Sequence, residues 1–124
     1  MAFLFDSYAI IEVLKGSKNY AKYAISGQVL TNKLFLAEAY FFFLKNGYAG
    51  KADEVFESFS AHSIEIPDAA IKSAMQFRFG YNKNRKQKVS YADAMGYEQA
   101  KLKGVKFLTG DDQFEKLPNV EFVK

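Results

Sequence analysis

Apolar positions fall into two kinds of run along the chain, short continuous ones and longer periodic ones. Phe3-Leu4-Phe5 stops at Asp6, after which Ala9, Ile10, Val13 and Leu14 recur at helical spacing until Gly16-Ser17. This predicts a strand, an aspartate at its carboxyl end, and a helix over 7–14. A second helix is predicted through Ala21 and Tyr23, then a brief strand at 28–30. Asn32 is placed to cap a long helix that Asn46-Gly47 ends. Another amphipathic helix is predicted over 51–61, with Val55, Phe56 and Phe59 on one face. Ser63 to Ile66 alternates like a strand, and Pro67-Asp68 opens a helix through Ile71, Met75 and Phe79. A basic loop over 81–88 precedes a helix at 90–103 that Gly104 ends. Val105 to Leu108 is predicted as a strand stopped by Thr109-Gly110-Asp111-Asp112, with a last strand at 120–123.

Strands alternating with helices imply right-handed crossovers and a parallel sheet covered on both faces. The 124 residues show no repeats and no linker, so one α/β domain over 1–124 is expected. The expected architecture is a three-layer α/β/α sandwich around a mostly parallel sheet of four to five strands, in the order 3-2-1-4-5.

Composition narrows the chemistry. Cysteine is absent and His62 is the only histidine, which removes disulfides, thiol nucleophiles and metal sites needing two imidazoles. A metal here is held by oxygen, which points to Mg²⁺, Mn²⁺ or Ca²⁺. The longest apolar stretch, 34–44, is interrupted by Glu38 and is too short to span a membrane. No basic segment precedes an apolar one at the start, so a cytoplasmic protein is expected. The net charge of +3 is unevenly spread: residues 69–92 contain no acid and six cations, Lys72, Arg78, Lys83, Arg85, Lys86 and Lys88. The remainder of the chain is net acidic.

The carboxylates carry the candidate chemistry, although each aspartate alone also has a capping explanation. Asp6 lies between a strand and a helix, Ser90-Tyr91-Ala92-Asp93 is a capping-box pattern, and Asp111 or Asp112 suits the turn before Phe114. Glu38 differs, being the one polar residue among the eleven from Leu34 to Leu44, with no Lys or Arg within a helical turn. A glutamate in such surroundings is unfavourable unless it meets a cation or reaches water. In the 3-2-1-4-5 order, Asp6 and Asp111 end the two strands that flank the reversal point, where open α/β sheets place their ligand site. Glu38 and Asp93 come from helices able to lean over that crevice. Four carboxylates about 6 Å apart repel by roughly 3 kcal/mol per ionised pair at an effective dielectric of 20. Caps have no reason to converge in this way, whereas a divalent-metal site does.

These segments resemble the PIN domains, small metal-dependent ribonucleases. FLFDSYAIIEVLKG is similar to the family's opening strand, first acid and helix. LAEAYFF resembles the helix carrying the family's glutamate, and SYADAMGYEQAKLKGVKFLTGDDQF its closing helix, strand and acidic turn. The resemblance implies a catalytic metal site for Mg²⁺ or Mn²⁺ made by Asp6, Glu38, Asp93 and Asp111. Ser7 and Thr109 match supporting hydroxyl positions. Asp112 stands where the family usually has another polar, often basic residue, which leaves the choice between Asp111 and Asp112 open. Tyr8 and Gly96 also depart from the common pattern. The implied reaction is metal-assisted phosphodiester hydrolysis that leaves 5′-phosphate and 3′-hydroxyl ends and needs no protein nucleophile.

On that reading Arg78, Lys83, Arg85, Lys86 and Lys88, interleaved with Phe79 and Tyr81, are candidates to hold an RNA backbone and stack on unpaired bases. The plain alternative is a solvated loop. Eight tyrosines and thirteen phenylalanines exceed what so small a core hides, which predicts a homodimer or partner surface. The resemblance extends to VapBC-type toxins held by an antitoxin. Two other readings stay open, a stand-alone RNA-processing nuclease and a non-catalytic acidic-pocket signalling or interaction module. A receiver-like module needs a lysine at a later strand end, where this chain has Thr-Gly-Asp-Asp.

Overall fold

The computed structural model describes residues 1–124. In chain order its elements are β1 (Ala2–Phe5), α1 (Ser7–Leu14), α2 (Lys18–Ser26), β2 (Gln28–Leu30), α3 (Lys33–Lys45), α4 (Ala49–Phe59), α5 (Asp68–Tyr81), α6 (Tyr91–Lys103), β3 (Lys106–Thr109) and β4 (Val120–Phe122). Short 3₁₀ turns lie at Ser60–His62 and Asp112–Phe114.

The four strands form one parallel sheet in the order β2-β1-β3-β4. β1 is central, and Phe3, Leu4 and Phe5 are all buried. A continuous apolar run, rather than an alternating one, is what a parallel strand covered on both faces requires. Helices cover the sheet in groups: α3 packs on α1 and α4, while α5 packs on α6, which lies against β1 and β3. Aromatic rings fill much of the interface, with Tyr97, Phe107 and Phe114 in mutual contact at centroid distances of 5.1–5.9 Å.

The helix ends follow local chemistry. Asp6, Asn32 and Ser90 each accept a hydrogen bond from the backbone N–H three residues on, at 2.8, 3.0 and 3.1 Å. Gly104 closes α6 in the left-handed region at φ 76°.

Three expectations are corrected. Ser63–Ile66 is not a strand: it makes a single parallel bridge, Thr31 to Ser63. Its backbone is engaged elsewhere, because the buried Gln99 amide donates to the Glu65 carbonyl at 2.9 Å and Pro67 follows without a donor. The fifth strand of the expected order is therefore reduced to one bridge beside β2. The helix expected over 51–61 starts earlier, at Ala49, and passes into the 3₁₀ turn after Phe59. On it Val55 and Phe59 are buried but Phe56 is exposed.

Candidate active site

β1 and β3 are neighbours in register, with Phe5 opposite Leu108, so the residues that follow them leave the sheet side by side. Asp6 is one of these and Thr109 through Asp111 supply the rest. Asp6 is 2% exposed. One of its carboxylate oxygens accepts from the Ala9 N–H, and the other accepts from the Thr109 hydroxyl. The same Thr109 oxygen accepts from the Asp111 N–H at 3.0 Å, so a single hydroxyl ties two acids together. Asp111 is held in turn as the cap of the 3₁₀ turn, accepting from the Gln113 N–H at 3.0 Å.

Asp93 enters from the first turn of α6, where its N–H is held by Ser90, and is half-buried. Asp6, Ser7, Asp93 and Asp111 line a cleft of about 390 Å³ together with Tyr8, Ile11, Gln87, Gly110, Asp112 and Lys124.

Electrostatics mark these acids as one group. Burial raises Asp6 from 3.8 to about 8, against the pull of Thr109 and Ala9, and the charges of Asp93 and Asp111 raise it further. Burial likewise lifts Asp93 to about 7, with Glu38 and Asp111 adding repulsion.

Glu38 is placed differently from the burial argument made for it. It lies on the exposed side of α3, which is how a lone glutamate is tolerated in so apolar a helix. Partial desolvation still raises its pKa, offset by the Ser7 hydroxyl. It stands at the margin of the group, coupled to Asp93.

Asp111 and Asp112 separate cleanly. Asp111 faces Asp6 and Asp93, whereas Asp112 is exposed and pairs with Lys124 at 2.9 Å. His62 is exposed in the turn after α4.

The acids face one cleft without closing on a point: no three acidic or histidine side chains converge as direct ligands around one ion do. The donor chemistry nevertheless fits a hard divalent cation, being all oxygen with a single cation, Lys124, among the lining residues. Mg²⁺ in particular retains several waters and is commonly held through one or two carboxylates.

The basic segment divides as well. Lys83, Lys86 and Lys88 are exposed. Arg78 is half-buried, donating to the Val89 carbonyl at 2.9 Å and stacking on Tyr91. Arg85 is half-buried against the Tyr81 ring, with its Nε buried and unpartnered. The two arginines thus shape the loop, and Gln87 carries that loop to the cleft.

Two lining residues with polar side chains escaped the sequence reading. Gln87 is hidden in a charge run, and Lys124 is one more lysine until β4 is seen to run beside β3. The departures at Tyr8 and Gly96 are each compensated. A Cβ on Gly110 would lie 2.2 Å from the Tyr8 ring, and one on Gly96 would lie 2.3 Å from the Phe35 ring.

The family model described as PIN domain matches residues 3–120. No curated protein sequence is similar to the chain at a significant level. Solved structures share the fold at low identity. A toxin of Mycobacterium tuberculosis, VapC20, described as cleaving the sarcin–ricin loop, superposes with a TM-score of 0.78 at 13% identity, covering 97% of this chain and 98% of that one. A toxin–antitoxin complex from Klebsiella pneumoniae gives 0.74 at 18% identity, covering 98% and 96%. VapBC2 from Rickettsia felis, bound to a promoter DNA fragment, gives 0.72 at 13% identity, covering 99% and 98%.

Proposed function

Because the chain belongs to the PIN domain family, we propose that it is a divalent-metal-dependent endoribonuclease and the toxin of a VapBC-type toxin–antitoxin pair. The observation that carries the reading is the coupled set Asp6, Asp93 and Asp111 around one cleft at the carboxyl ends of β1 and β3. Asp6, Asp93 and Asp111, with Glu38 at the margin, would hold Mg²⁺ or Mn²⁺, which when bound would supply Lewis acidity and offset the charge that develops on the phosphate and the leaving oxygen.

The chain's own residues do the positioning. Thr109 fixes the direction of Asp6 through its hydroxyl and that of Asp111 through its oxygen. Gln113 holds Asp111 from the other side, so neither carboxylate must reorganise during the reaction. One of these carboxylates would take the proton of the attacking water. Lys83, Lys86 and Lys88 are exposed to engage the RNA backbone.

The antitoxin part of the reading is supported by the outer face of α3. Leu34, Ala37, Phe41 and Leu44 recur at helical spacing and are all exposed, Phe41 by 62%. Such a stripe suits a helix or strand of another chain. The relatives of the same fold include two that are described as toxin–antitoxin or VapBC assemblies. No helix is long and apolar enough to cross a membrane.

The test is cleavage of a structured RNA by the purified protein in Mn²⁺, in EDTA, and by Asp6→Asn in Mn²⁺. Cleavage only by the unsubstituted protein in Mn²⁺ is expected. Equal cleavage in EDTA, or by Asp6→Asn, would overturn the mechanism.

A further inference from the structure

Lys124 is the only positively charged residue lining a cleft otherwise edged by Asp6, Asp93, Asp111 and Asp112. A phosphodiester entering there meets an excess of negative charge, so one fixed cation at the rim has a disproportionate effect on how the strand is seated.

The position of Lys124 is built by the fold. β4 pairs with β3 so that Phe122 stands opposite Thr109. The Val123 N–H then donates to the Thr109 carbonyl at 2.9 Å, and the Tyr20 hydroxyl donates to the Val123 carbonyl. Asn19 donates to the Lys124 carbonyl at 3.4 Å. The residue before Lys124 is thus tied to the one that orients Asp6. The approach is close enough that a Cβ on Gly110 would lie 2.6 Å from the Val123 carbonyl oxygen as well as against Tyr8.

From this frame the Lys124 ammonium reaches across the turn after β3. It donates to Asp112 at 2.9 Å and to the Gly110 carbonyl at 3.2 Å, and lies 5.9 Å from the Tyr8 ring centroid. An ammonium has three donors, so one remains for a ligand. The side chains of both Lys124 and Asp112 are more than half exposed, and an ion pair in that setting holds its partners weakly. It orients the ammonium without consuming it.

We propose that Lys124 is a substrate-positioning residue that contacts a backbone phosphate of the RNA beside the acidic cleft, with Asp112 holding its ammonium in place beforehand. This rests on the nuclease reading above. A single phosphate contact contributes about 0.7 to the slope of log affinity against log salt for a single strand. It weakens binding to different sequences alike when removed.

The experiment measures binding of a labelled structured RNA to the cleavage-deficient Asp6→Asn protein over a salt series, with and without Lys124→Ala or Lys124→Arg. Lys124→Ala is expected to bind several-fold more weakly and to lower the salt slope by about 0.7. Lys124→Arg is expected to restore both, which loss of folding would not allow. Unchanged affinity and slope in Lys124→Ala, with the parent binding RNA, overturns the assignment of Lys124 alone. A parent that neither binds RNA as Asp6→Asn nor cleaves it unsubstituted overturns the nuclease reading, and this assignment with it.

Discussion

The Phe35 ring fills the space a side chain at position 96 would need: a Cβ on Gly96 would lie 2.3 Å from two of its carbons and 3.2 Å from Phe107. Phe35 and Phe107 are themselves fully buried, so neither ring has solvent to move into. The Phe35 ring from α3 can reach α6 only because position 96 lacks a side chain, and Asp93 lies one turn earlier on the same helix. Gly96→Ala is expected to lower stability by about 1–3 kcal/mol from overpacking, even though alanine alone favours a helix by about 1 kcal/mol. Denaturant unfolding measures it. Combining Gly96→Ala with Phe35→Leu should recover part of the loss.

Thr109→Val removes the hydroxyl that ties Asp6 to Asp111 while preserving shape. Asp6 is then left buried with the Ala9 N–H as its remaining partner. A loss of about 1–3 kcal/mol is expected, with a further rise in the Asp6 pKa and weaker Mn²⁺ binding. Calorimetric titration of Mn²⁺ alongside an unfolding curve reads both. Unchanged metal affinity would remove Thr109 from the site.

Stability of the metal-free protein should decline as pH rises. Asp6 moves from 3.8 in the unfolded chain to about 8 in the fold, and Asp93 to about 7. Between those values the folded protein keeps protons that the unfolded chain has released, so this contribution is fully present below about pH 4 and is lost through about pH 7–8. Melting in EDTA is expected to shift downward from about pH 4 to about pH 8, and Asp6→Asn should flatten the shift. Metal binding displaces the same protons, so Mn²⁺ affinity should increase over that range.

Asp111→Asn and Asp112→Asn should differ sharply in Mn²⁺ affinity. Asp111 faces the other acids and Asp112 faces Lys124. A loss beyond the ~10–100-fold typical of an outer partner is expected for Asp111→Asn, and little change for Asp112→Asn. Equal losses would mean that the two acids share the ion.

Glu38→Gln should leave the fold within about 0.5 kcal/mol of the parent, as an exposed substitution does. Asp93 loses a repelling neighbour, so its pKa should fall below about 7. Carboxyl-carbon NMR titration would show it, and an unmoved Asp93 would separate Glu38 from the group.

Much of this was readable from residue pattern because the signals were local. The Asp6, Asn32 and Ser90 caps and the Gly104 stop each depend on a few neighbouring residues, and the helix starts fall where those residues put them. Ser63–Ile66 was misread because its alternation is genuine but its Glu65 carbonyl is claimed by Gln99, thirty-four positions away. The exposure of Glu38 was not legible for a similar reason: apolar neighbours along a helix do not reveal which of its faces is covered. The group Asp6, Asp93 and Asp111 emerged because strand order and strand ends together restrict where acids can meet. Lys124 gave no such signal, since its place depends on β4 lying beside β3.

The bond between Asp6 and Thr109 joins positions 103 residues apart. A chain emerging from the ribosome displays its first acid almost at once but lacks the hydroxyl that aims it until nearly the whole domain has been made. Fragments ending before β3 hold Asp6, Glu38 and Asp93 with nothing to set them against one another. The arrangement of the cleft therefore waits on the pairing of β1 with a strand made near the other end of the chain.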